Sequence, residues 1–170
     1  VNSVCGCAAG GARPALRALC AAALALLAGH GVAPAPAEAL WAHMGADYFL
    51  RETAADIAWH TEAILARATP DAPVVLTKAA GSRFDPVTQI FIYTRDRDYL
   101  FAVITATMEQ LGLNVYGARL YSSADRHTLD TFFVLEQDGR PVPPDGPRAA
   151  AIRQALLEHI QSEEHYLDVV

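Results

Sequence analysis

The densest run of charges in the chain lies between a strand-forming segment and a helix-forming segment. Residues 90–101 read Ile-Phe-Ile-Tyr-Thr-Arg-Asp-Arg-Asp-Tyr-Leu-Phe. Asp96 can act as the N-cap of the helix that follows, and Asp98 favours the positive end of its dipole. The free N–H groups of such a turn can also hold a small anion such as an amino-acid carboxylate, while acidic side chains can hold an ammonium group. The residues alone leave two interpretations open: a ligand site, or a charged loop that only caps a helix.

Other patterns with catalytic potential are weak. The glycines near the start are not followed by Gly-Lys-Ser/Thr, so they do not form a phosphate-binding loop. The Cys5-x-Cys7 pair has no second pair to complete a zinc site. His60 follows Asp56 by one helical turn, which we interpret as a helix pair rather than a general base, and Asp130 in a strand-like run is expected to face solvent. The sequence therefore predicts neither a self-sufficient catalytic site nor a metal or cofactor in this chain.

The composition indicates a folded protein without affinity for polyanions. Of 170 residues, 52% are hydrophobic and 19% are charged, which is too apolar for a disordered chain. Thirteen basic and 19 acidic residues give a net charge of −6, so the clustered positive charge that nucleic-acid binding requires is not expected. All three cysteines lie within the first 20 residues, and their odd number favours a reducing compartment over a disulfide scaffold.

The apolar segment at residues 18–29 has two possible interpretations. Preceded by Arg13 and Arg17 and followed by small residues, it imitates a signal peptide. Its leucines and alanines also fall at helical spacing, and Gly29 can end such a helix. In either case the segment is too short to span a bilayer, so no membrane association is predicted.

The remaining elements predict an α+β protein: a helical connector followed by a ferredoxin-like β-α-β-β-α domain whose closing strand is missing or weak. A capping box at Thr53-Ala-Ala-Asp56 starts the clearest connector helix. The final "YLDVV" is a poor closing strand, and an open sheet edge would call for a partner or for further sequence. The predicted organisation is an unassigned start (1–12), the connector (13–68), a linker with a short strand (69–88), the β-α-β-β-α domain (89–161) and a tail (162–170).

Two segments together resemble a known family. Residues 90–142, "IFIYTRDRDYLFAVITATMEQLGLNVYGARLYSSADRHTLDTFFVLEQDGRPV", resemble an ACT domain in the order strand, Asp-Arg-x-x-Leu-Phe, helix, Leu-Gly-x-Asn and two further strands. Residues 39–65, "ALWAHMGADYFLRETAADIAWHTEAIL", followed by this domain look like the bifunctional uridylyltransferase/uridylyl-removing enzymes of PII nitrogen signalling. In that family a nucleotidyltransferase domain and an HD phosphohydrolase domain precede two ACT domains. The chain resembles the connector after the HD domain plus the first ACT domain.

The resemblance implies a regulatory role rather than a catalytic one. The intact family enzyme uses UTP and Mg²⁺ to uridylylate protein PII when glutamine is scarce, and removes the group when glutamine is abundant. This chain would be its glutamine-responsive part, with Mg²⁺ needed only by the absent catalytic domains. Its implied partners are L-glutamine, another ACT domain and, through the intact enzyme, PII. The resemblance also implies a cytoplasmic protein in which residues 14–29 form a linker helix.

The family pattern assigns candidate effector contacts to the charged loop and to the segment after the next helix. ACT loops generally carry Pro-Gly where this chain has Asp98 and Tyr99, so a side chain fills the space that glycine leaves for a ligand. The alternative is a structural ACT-type module that pairs domains without an effector, and a further alternative is an unrelated β-α-β-β-α binding domain behind a signal peptide. The candidate contact residues are Asp96, Arg97, Asp98, Tyr99, Leu100, Gly112 and Asn114.

Overall fold

The structure, a computed structural model, describes residues 13–162 in two compact units. The helical unit contains the described residues up to Pro70 together with Tyr121–His127. The sheet unit contains Asp71–Leu120 and the described residues from Thr128 onward. The predicted start at 1–12, the candidate strand "YLDVV" and the tail beyond residue 162 lie outside the described residues.

The helical unit has four helices: α1 (Arg13–Gly29), α2 (Pro34–Trp41), α3 (Ala46–Arg51) and α4 (Ala54–Leu65). Helix α1 ends at Gly29 as predicted, and the buried residues at helical spacing on one of its faces are Leu16, Cys20, Ala23 and Leu27. The start of α4 is also confirmed, because the Thr53 hydroxyl accepts a hydrogen bond from the Asp56 backbone N–H at 3.1 Å. Within residues 13–162 no helix combines the length and the hydropathy needed to cross a bilayer.

Aromatic and polar side chains fill the interior of the helical unit. The Trp41 indole N–H donates to the Thr61 hydroxyl at 2.9 Å, and the Tyr48 hydroxyl lies 2.8 Å from Nδ1 of His60. Burial raises the pKa of the Tyr48 phenol well above its ordinary value, and neighbouring carboxylates raise it further. His60 is therefore a buried hydrogen-bond partner of Tyr48.

The state of Cys20 differs from what the cysteine count favours, which is a reducing compartment rather than a disulfide scaffold. It is fully buried on α1 and is disulfide-bonded. An odd cysteine count excludes complete pairing but leaves room for one pair. The other two cysteines, Cys5 and Cys7, lie outside the described residues.

The sheet unit contains a four-stranded antiparallel sheet and two helices. Its elements are β1 (Val74–Gly81), β2 (Pro86–Arg95), α5 (Leu100–Gln110), β3 (Leu113–Ser122), β4 (His127–Glu136) and α6 (Pro147–Gln161). The end of β3 and the start of β4, within Tyr121–His127, belong to the helical unit. The strands have the spatial order β1-β2-β4-β3. This arrangement confirms the predicted α+β, ferredoxin-like class.

Strand β1 occupies the place in the sheet that a closing strand would take. It pairs antiparallel with β2 from Val74 opposite Tyr93 to Gly81 opposite Pro86. The short strand predicted within the linker is thus a full member of the sheet, supplied from before the β-α-β-β-α segment rather than after it. The sheet edge beside β2 is therefore paired by β1, and β3 forms the opposite edge.

The core of the sheet unit forms between one face of the sheet and the two helices. Its residues come from every strand and from both helices, and Leu111 and Leu157 pack against them. The buried members are Val75, Ile90, Ile92, Leu100, Ile104, Met108, Leu113, Phe132, Val134, Val142, Ala149, Ile152, Leu156 and Ile160.

The expectation that Asp130 faces solvent is wrong. Only 4% of the residue is exposed, and its carboxylate accepts a hydrogen bond from the Thr128 hydroxyl at 2.5 Å. Leu129 and Thr131, which point to the other face of β4, are also buried. Because side chains on both faces of β4 are buried, the alternation of polar and apolar residues along this strand does not show which side chains are exposed.

Candidate functional site

The loop Asp96–Leu100, called the corner below, joins β2 to α5 and carries five of the seven candidate contacts. Asp96 and Asp98 are exposed, and Arg97 is half-buried. Tyr99 leaves 59% of its surface in solvent, whereas Leu100 is only 4% exposed. The corner thus presents two carboxylates and one aromatic ring to solvent at the N-terminus of a helix.

Tyr99, rather than Asp96, is the N-cap of α5. Its backbone lies in the left-handed region at φ 65° and ψ 6°, and it makes no side-chain cap hydrogen bond. The turn is closed by the backbone instead: the N–H of Leu100 donates to the carbonyl of Arg97 at 3.3 Å, and that of Val103 to the carbonyl of Tyr99 at 3.0 Å. The prediction for Asp96 is wrong because it assumed the usual N-cap, an extended residue whose side chain accepts a hydrogen bond from the first turn. Here the N-cap is the left-handed residue Tyr99, and no side-chain acceptor is used.

Leu100 belongs to the hydrophobic core beneath the corner. Its side chain packs with Ile104 and the other buried core residues. Any contact of Leu100 with a ligand at the corner would therefore have to come from its backbone. The side chain instead anchors the first turn of α5 to the sheet unit.

Arg97 points toward helix α6 rather than into the loop. Its guanidinium donates to the carbonyl of Ile160 at 2.8 Å and more weakly to that of His159 at 3.5 Å. In the same region Nδ1 of His159 lies 2.7 Å from the Thr107 hydroxyl. That hydroxyl donates its proton to the carbonyl of Val103 at 2.7 Å, so the imidazole N–H must be the donor to Thr107.

Gly112 and Asn114 lie at the other end of α5. Gly112 follows the end of the helix with φ +71°, and a Cβ there would lie 3.4 Å from the side chain of Gln137. Asn114 is exposed at the start of β3. The 11 residues of α5 separate these two positions from the corner by roughly 16 Å. A single copy of the chain therefore does not bring all seven candidate residues around one small molecule.

An arginine also holds the far end of the helix pair. Arg148, at the start of α6, donates from Nε to Glu136 at 2.7 Å and from a terminal nitrogen to the carbonyl of Leu111. The hydrogen bond to Glu136 raises the pKa of Arg148. Arg97, beside the N-terminus of α5, thus binds carbonyls at the C-terminus of α6. In the same way Arg148, at the N-terminus of α6, binds a carbonyl at the C-terminus of α5. Sequence reasoning missed both contacts, because the partners are 37 and 63 residues apart.

A second polar cluster occupies the turn between β3 and β4, within the helical unit. The Ser123 hydroxyl donates to the Asp125 carboxylate, which lies 3.4 Å from Nδ1 of His127. Burial alone would raise the pKa of Asp125, but the Ser123 hydrogen bond and the nearby imidazoles of His127 and His43 lower it below its ordinary value. Because the serine bonds to the acid rather than to the imidazole, the cluster lacks a nucleophile–base pair. Among residues 13–162 no three His, Cys, Asp or Glu residues are grouped as metal ligands.

Comparison with known proteins identifies the relatives of this chain. Residues 13–63 match the family model described as the uridylyltransferase GlnD fifth domain. Over 150 residues the chain is 45% identical to the bifunctional uridylyltransferase/uridylyl-removing enzyme of Stutzerimonas stutzeri (strain A1501). The same enzyme from Ectopseudomonas mendocina (strain ymp) and that from Azotobacter vinelandii (strain DJ / ATCC BAA-1303) are each 44% identical over 150 residues.

These alignments cover most of the chain but little of the relatives. Each includes 88% of the present chain and 17% of the curated enzyme. The chain thus spans about one sixth of the length of the relatives it matches. The similarity confirms the family expected from the sequence, and the chain corresponds to one segment of the bifunctional uridylyltransferase/uridylyl-removing enzymes.

Proposed function

We propose that this chain is the regulatory, glutamine-responsive segment of an enzyme that uridylylates protein PII and removes the uridylyl group. In this proposal residues 89–161 belong to an ACT domain, and β1 completes its sheet from the segment before it. The intact enzyme acts in the cytoplasm with UTP and Mg²⁺, and its catalytic motifs lie outside this chain. The 45% identical relative is a bifunctional uridylyltransferase/uridylyl-removing enzyme, which supports the proposal for the parent enzyme.

The observation that carries the sensing role is the corner itself. It combines the N-terminus of α5, where backbone N–H groups favour a carboxylate, with the exposed carboxylates of Asp96 and Asp98, which favour an ammonium group. Tyr99 keeps the left-handed backbone that glycine would adopt freely, although its ring replaces the open space. An α-amino acid carries both charges that this arrangement can complement.

Calorimetric titration of L-glutamine into the protein tests the sensing role. We expect measurable heat for L-glutamine. Asp96→Asn should weaken binding about tenfold, because it removes one charged partner of the ammonium. Asp85→Asn, at the exposed turn between β1 and β2, is the matched control and should leave affinity unchanged. Absence of heat in the protein and in the full-length enzyme would refute the sensing role.

A second candidate function is supported by the β3 edge. Three large apolar residues of this edge strand are exposed: Val115 by 44%, Tyr116 by 66% and Leu120 by 50%. An edge strand whose outer side is open and carries apolar side chains is a template for pairing with another sheet. The chain would then serve as an interaction module that pairs ACT domains without an effector.

Light scattering separates this candidate from the sensing role. It predicts a dimer whose formation does not depend on glutamine, and Tyr116→Lys should shift it to monomer by placing a charge on the edge. Leu50→Lys changes a residue of similar exposure on α3 and should leave the dimer intact. A wild-type protein that stays monomeric at high concentration would exclude the interaction module.

A further inference from the structure

Arg97 connects the corner to the last turn of α6. Its guanidinium donates to the carbonyl of Ile160 at 2.8 Å and to that of His159 at 3.5 Å. The last four carbonyls of a helix have no partner within the helix, and the negative end of its dipole favours a cation. Arg97, in the loop after β2, therefore places a positive charge at the end of α6, where His159 lies 62 residues later in the sequence.

The carbonyls of α6 are weaker acceptors for this guanidinium than a carboxylate would be. A carboxylate accepts two parallel charge-assisted hydrogen bonds from an arginine fork, whereas each helix carbonyl accepts one bond without a full charge. Arg97 is only half-buried, so part of its side chain is exposed to solvent beside the corner.

We propose that Arg97 is a positioning residue shared between the end of α6 and the carboxylate of an amino acid bound at the corner. Binding draws the guanidinium from the Ile160 and His159 carbonyls, and the last turn of α6 loosens. This inference rests on the proposed function, because it requires an amino acid at the corner. Ile160 remains in the core and His159 remains bonded to Thr107, so the change is confined to the end of the helix.

Amide hydrogen exchange in the absence of ligand tests the contact itself. The peptide covering residues 157–162 contains the amide of Ser162, which donates to the carbonyl of Glu158 at 3.0 Å and closes the last turn. Arg97→Ala should raise exchange in this peptide about tenfold, and Arg97→Lys should restore part of the protection because an ammonium can still bind carbonyls. Arg95→Ala removes a largely exposed arginine paired with Asp71 at 3.7 Å, and it should leave the peptide unchanged. Unchanged exchange in Arg97→Ala would overturn the proposal.

The response to ligand separates a shared arginine from a purely structural one. L-Glutamine should raise exchange of residues 157–162 in the wild type and add nothing in Arg97→Ala. L-Glutamine α-amide keeps the ammonium and the side chain but lacks the carboxylate, so it should leave this peptide unchanged. If calorimetry shows glutamine binding while exchange at the end of α6 stays constant or falls, the sharing is wrong. If calorimetry shows no glutamine heat, both the proposed function and the sharing of Arg97 with a ligand are wrong. The exchange of Arg97→Ala without ligand still tests whether Arg97 stabilises the end of α6.

Discussion

Replacing Tyr99 with glycine and with alanine measures the backbone conformation of the corner. Both substitutions remove the same aromatic side chain, so the loss of its partial burial cancels between them. Their difference reports the left-handed backbone at φ 65°, which costs roughly 1–2 kcal/mol for a residue with a Cβ and little for glycine. The greater freedom of glycine in the unfolded chain offsets about 0.5–1 kcal/mol of this gain. We therefore expect Tyr99→Gly to be more stable than Tyr99→Ala by about 1 kcal/mol.

Calorimetric melting of the two variants provides the assay. For a protein of this size about 1 kcal/mol corresponds to roughly 2–4 °C in Tm. Ala102→Gly, at an exposed position within α5, is the control, because glycine is less stable than alanine at an ordinary helical position. This variant should lose about 1 kcal/mol of stability relative to the parent. A Tyr99→Gly variant that melts below Tyr99→Ala, as an ordinary helical position would require, would refute the left-handed cap.

Three further predictions concern the packing and the polar contacts of the two units. Thr53→Ala should cost about 1 kcal/mol in urea denaturation because α4 loses its N-cap, and Thr53→Ser should retain most of that stability; equal losses in both would contradict the cap. Ile104→Ala should cost about 2–5 kcal/mol by the same measurement, since the side chain is fully buried in the core of the sheet unit, and a loss below 1 kcal/mol would place it outside that core. The lowered pKa of Asp125 means that its charged form contributes stability above its ordinary pKa and loses it as pH falls through the folded-state value. Asp125→Asn should therefore lower Tm near pH 7, and this deficit should shrink below about pH 4, whereas a pH-independent deficit would exclude the charge as its cause.

Local signals predicted most of the elements. Helix α1 ends at Gly29, as the sequence predicts. Thr53 caps α4 because its hydroxyl and the N–H of Asp56 are three residues apart, a distance that the sequence displays directly. These features succeed because each depends on residues within one or two turns of each other.

Features that depend on distant residues were less predictable. The sequence predicts a short strand within residues 69–88, but the place of β1 beside β2 follows from pairing across the whole register, which no short pattern encodes. The burial of Asp130 depends on both faces of β4 being covered. The role of Arg97 depends on the end of a helix more than 60 residues away. The charged corner was thus located from sequence, whereas the partner of its arginine was not.

The arrangement of the corner changes the electrostatic argument about its ligand. Considered as a sequence, Asp96-Arg97-Asp98 offers an arginine to bind a carboxylate and two acids that oppose it. In the structure the arginine is already engaged by α6, so the side chains that face solvent at the loop are the two acids and the tyrosine. A free carboxylate alone would meet repulsion there, whereas a molecule with an ammonium group gains from both acids before it competes for Arg97. The corner should accordingly prefer α-amino acids over simple carboxylic acids such as acetate or glutarate, and a competition titration in which glutarate displaces glutamine would show that this charge order is wrong.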